Sequence, residues 1–242
     1  MDGPLTGDAF GELMLAAYAG DDPMEIIERD DGWVDAAPAR RYFDGPETTP
    51  DLAEALDLVR GRVLDVGAGG GRCAVPLLTR GHAVTALDTS PGAIEVCRRR
   101  GVTDTYLGTV EEHAADRARY DTFLLYGNNL GLLTGPDRAV RFLAALGRLA
   151  APDARIVGQG LDPHPGAGRH AAYHERNRTR GRMTGQVDLR VRYRGIASPW
   201  FGYLFASADE LRGLVDGTGW RVADVRPGVA SPSYLAVLTR HR

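Results

Sequence analysis

The sequence contains no lysine, because all 29 of its basic residues are arginines. Any mechanism that needs a lysine Schiff base is therefore excluded. Cysteine is nearly absent as well. The two that occur, Cys73 and Cys97, lie in predicted helices without metal-ligand spacing to other cysteines or histidines. This pattern indicates two free thiols rather than a metal site or a disulfide.

Long apolar runs are also missing. No stretch approaches the roughly 18 consecutive apolar residues of a membrane span, and Met1 to Pro4 show neither the basic nor the apolar segment of an export signal. The net charge of -3 gives no general attraction to nucleic acid or to a membrane surface. We expect a cytoplasmic protein whose 242 residues form a single domain with one core.

The most informative stretch runs from Val63 to Arg72. Its first four residues predict a buried strand, and glycines at the alternate positions 67, 69 and 71 predict a sharp turn whose backbone lies close to a ligand. The helix that follows would direct its N–H groups at that ligand. A dinucleotide fingerprint would need glycine at Arg72 and has no acid in the position of Asp65.

A second strand, His82 to Asp88, ends in an acid about twenty residues after the glycine turn, where a ribose-binding carboxylate is expected in Rossmann-like sheets. A carboxylate can accept hydrogen bonds from both ribose hydroxyls at once. The alternative is that Asp88 only caps the next helix. For Asp65 we expect a different role, in which it orders the glycine turn by accepting backbone N–H groups.

Together, the Asp-x-Gly-x-Gly-x-Gly turn and Asp88 resemble the class I S-adenosylmethionine (SAM) dependent methyltransferases, over roughly residues 52–160 and 207–241. The resemblance implies an α/β fold with a Rossmann-like, seven-stranded, mostly parallel sheet, its last strand antiparallel and its helices on both faces. It also implies SAM as the cofactor, S-adenosylhomocysteine (SAH) as its product, and no metal.

The resemblance further implies which residues hold the cofactor. They lie in the glycine turn and after the second, third and fourth strands: Asp65, Gly67, Ala68, Gly69, Gly71, Asp88, Thr89, Thr109, Val110, Glu111, Tyr126, Gly127 and Asn128. The family often has an adenine-binding acid where this chain has Thr109, so Thr109, the Val110 N–H and Glu111 all stay open for that contact. Turn chemistry is the alternative role of the asparagines, because Asn and Gly favour tight turns.

We predict four segments within the one domain: an N-terminal helical lid (1–50), the SAM-binding core (51–160), an acceptor-side insertion (161–206) and a C-terminal helix with two strands (207–242). The insertion interrupts the regular α/β alternation with a helical stretch and with Gln186 to Tyr193, in which apolar and charged residues alternate. Pro199 to Phe205 would be its antiparallel partner. We expect this helix and hairpin, which follow strand five, to cover the active site.

Two histidines in the insertion, His170 and His174, are the candidate catalytic residues, because methylation of an unactivated hydroxyl needs a general base. An amine acceptor would need only to be deprotonated. Polar surface on a basic helix is the alternative role. The pair also lies at metal-ligand spacing, but the catalytic glutamate of a His-Glu-x-x-His site is absent.

The remaining candidates for the acceptor pocket or lid are mostly aromatic side chains and arginines: Tyr18, Trp33, Tyr42, Phe43, Asn129, Tyr173, Arg178, Arg192 and Trp200. Aromatic residues at helical spacing also serve core packing. The arginines between Arg169 and Arg194 have three interpretations: a solvated face, a site for a carboxylate or phosphate of a small acceptor, or an RNA surface.

We predict methyl transfer from SAM to a small molecule. An Ala-, Gly-, Arg- and Val-rich composition is typical of GC-rich bacterial genomes, and with the elaborate insertion it favours a secondary metabolite as acceptor. The alternatives are an RNA methyltransferase and a SAM-binding protein that transfers no methyl group. We expect neither a membrane nor a nucleic acid as partner, and a monomer or homodimer.

Overall fold

The computed structural model describes residues 4–115, 119–229 and 232–241. Residues 1–3, which contribute to the expectation about export, lie outside them. Within the described residues no helix is long and apolar enough to cross a membrane. Eight α-helices are present there: α1 (Ala9–Tyr18), α2 (Pro50–Asp57), α3 (Ala74–Thr79), α4 (Pro91–Arg99), α5 (Val110–His113), α6 (Pro136–Leu149), α7 (Ala171–Thr179) and α8 (Ala208–Val215).

The strands of the described residues form two sheets. In chain order the strands are β1 (Leu5–Thr6), β2 (Met24–Arg29), β3 (Val34–Pro38), β4 (Val63–Val66), β5 (Val84–Asp88), β6 (Thr105–Leu107), β7 (Tyr120–Leu125), β8 (Ala150–Leu161), β9 (Gln186–Tyr193), β10 (Ile196–Ala197), β11 (Phe201–Leu204), β12 (Trp220–Pro227) and β13 (Ser233–Arg240).

The larger sheet has seven strands in the order β12-β13-β8-β7-β4-β5-β6. Strands β4 to β8 are mutually parallel, and β13 is antiparallel to both of its neighbours, β8 and β12. The predicted Rossmann-like sheet with an antiparallel last strand is thus confirmed. Strand β4 has β5 on one side and β7 on the other, so the strand order changes direction at β4. The loops after β4 and β7 therefore meet at the carboxyl edge of the sheet, where α/β sheets bind ligands.

Strand β4 lies inside the large sheet, between β7 and β5, and both of its faces are covered by packed side chains. All four of its residues are buried, as expected for a parallel strand with helices on each side. Leu64 and Val66 join the core that contains α6 and Trp220, whereas Val63 joins the core that contains α2 and α3. Two packed cores therefore hold β4, and with it the start of the glycine turn.

The second sheet has six strands in the order β1-β10-β9-β2-β3, with β11 also paired to β9. The predicted helix and antiparallel strands of the insertion are present as α7, β9 and β11. The prediction of a helical segment over residues 1–50 was wrong in part, because β2 and β3 form a hairpin there and β2 pairs with β9. That pairing joins strands about 160 residues apart, so no local sequence pattern shows it.

We call the second sheet, with α1, α7 and the short 3-10 helix Ala39–Tyr42 with Phe43 packed on it, the roof. The alternate residues Val187, Leu189, Val191 and Tyr193 of β9 are buried on its inner face. Val191 and Tyr193 pack with α1, and Val187 and Leu189 pack with Tyr173 of α7. The roof contacts the glycine turn and the loop after β7, as described below, so it covers the carboxyl edge of the large sheet.

Candidate functional site

The glycine turn follows β4 directly. Gly67, Gly69 and Gly71 have φ angles of +70°, +54° and +80°, which residues with a Cβ rarely adopt. A Cβ on Gly67 would also lie 2.6 Å from the Asn129 amide nitrogen, and one on Gly69 would lie 3.7 Å from the Phe10 ring. The turn therefore needs glycine both for its backbone conformation and for the close approach of its neighbours.

Asp88 ends β5 beside this turn and is 9% exposed. Its Oδ2 accepts the Gly69 N–H at 2.8 Å and its Oδ1 accepts the Ser90 N–H at 2.9 Å. Burial raises the pKa of this carboxyl. Each oxygen keeps further acceptor capacity, so the carboxylate can fix the glycine turn and still accept ligand hydroxyls. The predicted ribose contact is compatible with this geometry and stays a prediction.

Asp65 lies within β4 and is 2% exposed. The backbone N–H of Ala74, at the start of α3, donates to it, and its Oδ2 has no hydrogen-bond partner among the described residues. Burial, and then the charge of Asp88, raises the pKa of Asp65 to about 7. Its one described backbone bond thus goes to α3 rather than to the turn glycines, and one buried oxygen remains to accept a donor from a ligand.

The loop after β7 supports the turn from the other side. Asn129 donates its amide N–H groups to the carbonyls of Val66 and Gly67, at 2.9 and 3.0 Å. Asn128 has a left-handed φ of +66°, and its Oδ1 is buried without a described partner. Tyr126 is buried in the core behind the loop, with the Arg72 guanidinium 5.2 Å from the centre of its ring. Asn129 therefore supports the glycine turn, and its predicted contact with the acceptor stays a prediction.

In the segment after β6, two of the three groups predicted as possible adenine contacts already have partners within the chain. Thr109 and Glu112 form a capping box at the start of α5, and Glu111 pairs with Arg138 at 2.6 Å. The Val110 side chain is buried. Of the three adenine candidates, the backbone N–H of Val110 is the group without another described partner. Thr89 is exposed at the rim, next to Asp88.

The roof places aromatic rings against the glycine turn. A Cβ on Gly70 would lie 3.2 Å from the Phe43 ring, and the rings of Phe10 and Tyr42 meet edge to face with centroids 5.3 Å apart. The Tyr42 hydroxyl donates to the buried carboxylate of Glu25 on β2. From the other end of the roof, Tyr203 donates its hydroxyl to the Asn128 carbonyl at 2.7 Å.

Sequence reasoning missed Asp8, Glu25 and Tyr203. Asp8 carried a signal, because an acid before an amphipathic helix is a preferred N-cap. Glu25 and Tyr203 carried none that distinguishes them from ordinary strand residues.

The two histidines lie in a different part of the roof. His170 Nδ1 is 3.2 Å from the Arg29 guanidinium, at the far end of β2 from Glu25, and the His170 and His174 rings lie 6.1 Å apart. Burial lowers the pKa of both imidazoles. The charge of Arg29 lowers the pKa of His170 further, and the charge of His170 lowers that of His174. No described hydrogen bond connects either ring to the glycine turn. Their role as a base stays a prediction.

The other acceptor and lid candidates do not meet at one site. Trp33 and Tyr173 flank Arg29, with the guanidinium carbon 5.2 and 4.1 Å from their ring centres. Tyr18 bonds to the Arg99 carbonyl at the end of α4. Three candidates project from outer surfaces of the roof, each next to another charged side chain: Arg178 with Glu175, Arg192 with Glu28, and Trp200 under Arg190. Within residues 4–115, 119–229 and 232–241, no group of three or more His, Cys, Asp or Glu side chains could hold a metal ion.

The site therefore fits the chemistry of SAM in three respects. Glycines with positive φ keep the backbone accessible, Asp88 retains lone pairs for hydroxyl donors, and the buried Asp65 Oδ2 lacks a donor. All three lie at the carboxyl edge of the parallel strands, at the switch in strand order.

Residues 63–153 match the family model described as a methyltransferase domain. A ubiquinone biosynthesis O-methyltransferase of Xanthomonas oryzae pv. oryzae is 31% identical over 148 residues, which are 54% of this chain and 61% of that protein. One from Vibrio vulnificus is 35% identical over 100 residues, 39% of this chain and 43% of that protein. The chain thus spans only about half the length of these relatives.

The fold is shared more widely than the sequence. The crystal structure of a SAM-dependent methyltransferase from Bacteroides fragilis, in complex with SAH, aligns with a TM-score of 0.81 at 24% identity. The alignment covers 97% of this chain and 95% of that one, so it includes the roof as well as the large sheet. The glycine turn and the strand order agree with the domain match: residues 63–153 form a methyltransferase domain, and the chain as a whole has the fold of a SAM-dependent methyltransferase.

Proposed function

We propose that this protein transfers the methyl group of SAM to a small-molecule acceptor. The observation that carries the proposal is the way three strand ends build one cradle. The glycine turn after β4 donates an N–H to Asp88 at the end of β5, and its carbonyls accept the amide N–H groups of Asn129 after β7. Buried polar contacts of this kind hold the turn in one conformation before a ligand arrives.

When bound, SAM supplies an activated methyl group on its sulfonium. The protein then needs to hold the acceptor in line with the S–CH₃ bond and to exclude water. The glycine turn, Asp65 and Asp88 would hold the cofactor, with the Val110 N–H at the adenine end. The roof would exclude water, because Phe10, Tyr42 and Phe43 cover the turn.

The ion pairs made by the arginines of the insertion favour a small acceptor over RNA. Six of the arginines between Arg169 and Arg194 lie within ion-pair distance of acids in the same chain: Arg176, Arg178, Arg182, Arg190, Arg192 and Arg194. An RNA surface would present such groups to phosphates instead. The relatives named as ubiquinone biosynthesis O-methyltransferases also support a small molecule. A secondary metabolite stays our proposal for the acceptor, on composition and on the size of the insertion.

Calorimetric titration of the protein with SAM, SAH and NAD tests the proposal. We expect micromolar binding of SAM and SAH and none of NAD. Asp88→Ala should weaken both by about tenfold or more, because a buried, charge-assisted acceptor is lost. Asp57→Ala is the control, because Asp57 is an exposed acid that pairs with Arg80 on the surface; it should leave both affinities unchanged.

If SAM does not bind, or if Asp88→Ala binds SAM as tightly as the wild type, the assignment of the cradle is contradicted. Binding of SAM without SAH release, across a panel of phenols, alcohols and amines, would favour a SAM-binding protein that transfers no methyl group. Release of SAH with one class of acceptor would identify that class and allow the pH profile of His170 and His174 variants to test the predicted base.

A further inference from the structure

Arg72 is the charged residue that directly follows the glycine turn. It comes after Gly71, shortly before α3 begins, and its side chain is half-buried. The guanidinium carbon lies 5.2 Å from the centre of the Tyr126 ring, and Tyr126 is the first residue after β7. The guanidinium therefore lies at the carboxyl edge of the large sheet, between the glycine turn and the loop after β7.

The partners of this guanidinium within the chain are uncharged. Its Nε donates to the Asp44 backbone carbonyl at 3.0 Å, and its Nη2 donates to the Thr49 hydroxyl at 3.2 Å. No acid among the described residues forms an ion pair with Arg72. Two neutral oxygens and the Tyr126 ring thus fix the position of the charge, but none of them balances it.

A half-buried guanidinium without a carboxylate lacks a counter-ion. Arg190 in the roof, which is also half-buried, has one, because Glu28 accepts two of its N–H groups. Asp51, two residues beyond Thr49, is directed elsewhere: its oxygens accept the Val229 N–H and the Ser233 hydroxyl. Removing a charge from water is costly unless an opposite charge lies beside it, so the surroundings of Arg72 favour a ligand with a negative group.

The donors that remain on Arg72 suit a carboxylate. A guanidinium has five N–H groups, and the bonds to Asp44 and Thr49 use one on Nε and one on Nη2. Both N–H groups of Nη1 and one of Nη2 therefore have no partner among residues 4–115, 119–229 and 232–241. Two neighbouring nitrogens of a guanidinium can donate in parallel to the two oxygens of one carboxylate.

The two sides of the glycine turn together complement an α-amino acid. The amino-acid end of SAM carries an ammonium and a carboxylate on one carbon, and this carboxylate is the only negative group of the cofactor. Before the turn, the buried Asp65 Oδ2 lacks a donor. After the turn, Arg72 lacks an acid. An acceptor for an ammonium and a donor for a carboxylate therefore flank the same three glycines.

We propose that Arg72 binds the carboxylate of the methionine moiety of SAM, and the equivalent carboxylate of SAH, through Nη1 and Nη2. The inference rests on the proposed function and deepens it. It assigns a cation to the one part of the cofactor for which Asp65, Asp88 and the Val110 N–H provide none.

The test compares two ligands that differ only in the carboxylate. The protein is titrated in a calorimeter at pH 7 with SAH and with decarboxylated SAH, which keeps the adenosine, the sulfur and the amino group. The wild type should bind SAH about tenfold more tightly than decarboxylated SAH, because a charge-assisted pair is made only with SAH. Arg72→Gln should weaken SAH binding about tenfold and leave the affinity for decarboxylated SAH within about twofold, since that ligand has no group to pair with the guanidinium.

Two further variants support the comparison. Arg72→Lys keeps the charge but not the paired donors, so it should weaken SAH binding by about threefold; it serves as the test variant if Arg72→Gln does not fold. Arg60→Gln is the matched control. The Arg60 guanidinium also donates to a backbone carbonyl, that of Asp153, but Arg60 precedes β4 and lies at the opposite edge of the sheet. Its replacement should leave both affinities within about twofold of the wild type.

The outcomes separate the two claims. Failure of the wild type to bind either ligand would overturn the proposed function itself. Equal binding of SAH and decarboxylated SAH by the wild type would overturn the carboxylate contact alone. Equal weakening of both ligands in Arg72→Gln would also overturn it, because Arg72 would then only hold the glycine turn in place. A preference for SAH that persists in Arg72→Gln would assign the carboxylate to another residue.

Discussion

Asp8 joins the roof to the large sheet, and its removal is the sharpest test of how the two are held together. Its carboxylate accepts the Gly11 N–H at 2.9 Å, which caps α1. It also accepts the Gly92 N–H at 2.9 Å and the Ser90 hydroxyl at 2.8 Å, at the start of α4. One side chain therefore caps two helices that lie more than 80 residues apart. Ser90 follows closely on Asp88, so the joint lies beside the cofactor site.

The cost of Asp8→Ala follows from these bonds. Loss of a capping side chain costs about 0.5–2 kcal/mol per helix, and three donors lose their acceptor at about 0.5–1.5 kcal/mol each. Because Asp8 is only half-buried, water can replace part of the lost hydrogen bonding. We therefore expect a loss of about 2 kcal/mol in the free energy of unfolding, which lowers the melting temperature by about 4–8 °C for a chain of this size.

Urea unfolding followed by tryptophan fluorescence measures the change. Asp8→Asn should lower the free energy of unfolding by about half as much as Asp8→Ala, because its one amide oxygen can still accept hydrogen bonds from two donors. Asp22→Ala is the control: Asp22 pairs with Arg40, but both side chains are about two-thirds exposed, so its removal should change stability by less than about 0.5 kcal/mol. If Asp8→Ala is no less stable than Asp22→Ala, the double cap does not hold α1 on α4.

Three further predictions concern the turn, the helix contact and the histidines. Asn129→Ala should weaken SAH binding about tenfold in calorimetry, because two hydrogen bonds to the glycine turn are lost; unchanged binding would contradict the cradle. Gly92→Ala should destabilise the protein by about 1–3 kcal/mol in urea unfolding, because its Cβ would lie 2.5 Å from the Gly11 Cα. Gly213→Ala, in a helix with nothing within 4 Å, should instead stabilise by about 0.5–1 kcal/mol. Burial keeps the pKa of His174 below its unfolded value, so the unfolded state binds more protons and stability falls as pH drops below about 6.5. His174→Gln should reduce the difference between urea midpoints at pH 7.5 and 5.5, and an equal difference in the variant would refute this.

The large sheet could be predicted because its signals are local. The buried run at β4 is followed at once by three glycines, and the second acid ends the next strand. Parallel strands that alternate with helices leave little freedom in topology, since crossovers are right-handed. Which side chains face the turn was predicted less well. The support that the Asn129 amide gives to the turn was not predicted, because side-chain direction in a loop depends on the neighbouring carbonyls and not on sequence spacing.

The roof could not be predicted in the same way, because its strands find their partners across the whole chain. Ile27 pairs with Val191, and in the sheet the strands of the insertion lie between N-terminal strands on both sides. Neither part could bury its apolar face alone. This arrangement explains why Glu25 went unnoticed: in a local view it is one polar residue in a short strand, like Glu28. Only the pairing of β2 with β9 decides that Glu25 faces inward and Glu28 outward, so the position of the buried carboxylate is defined by a contact that the local pattern does not contain.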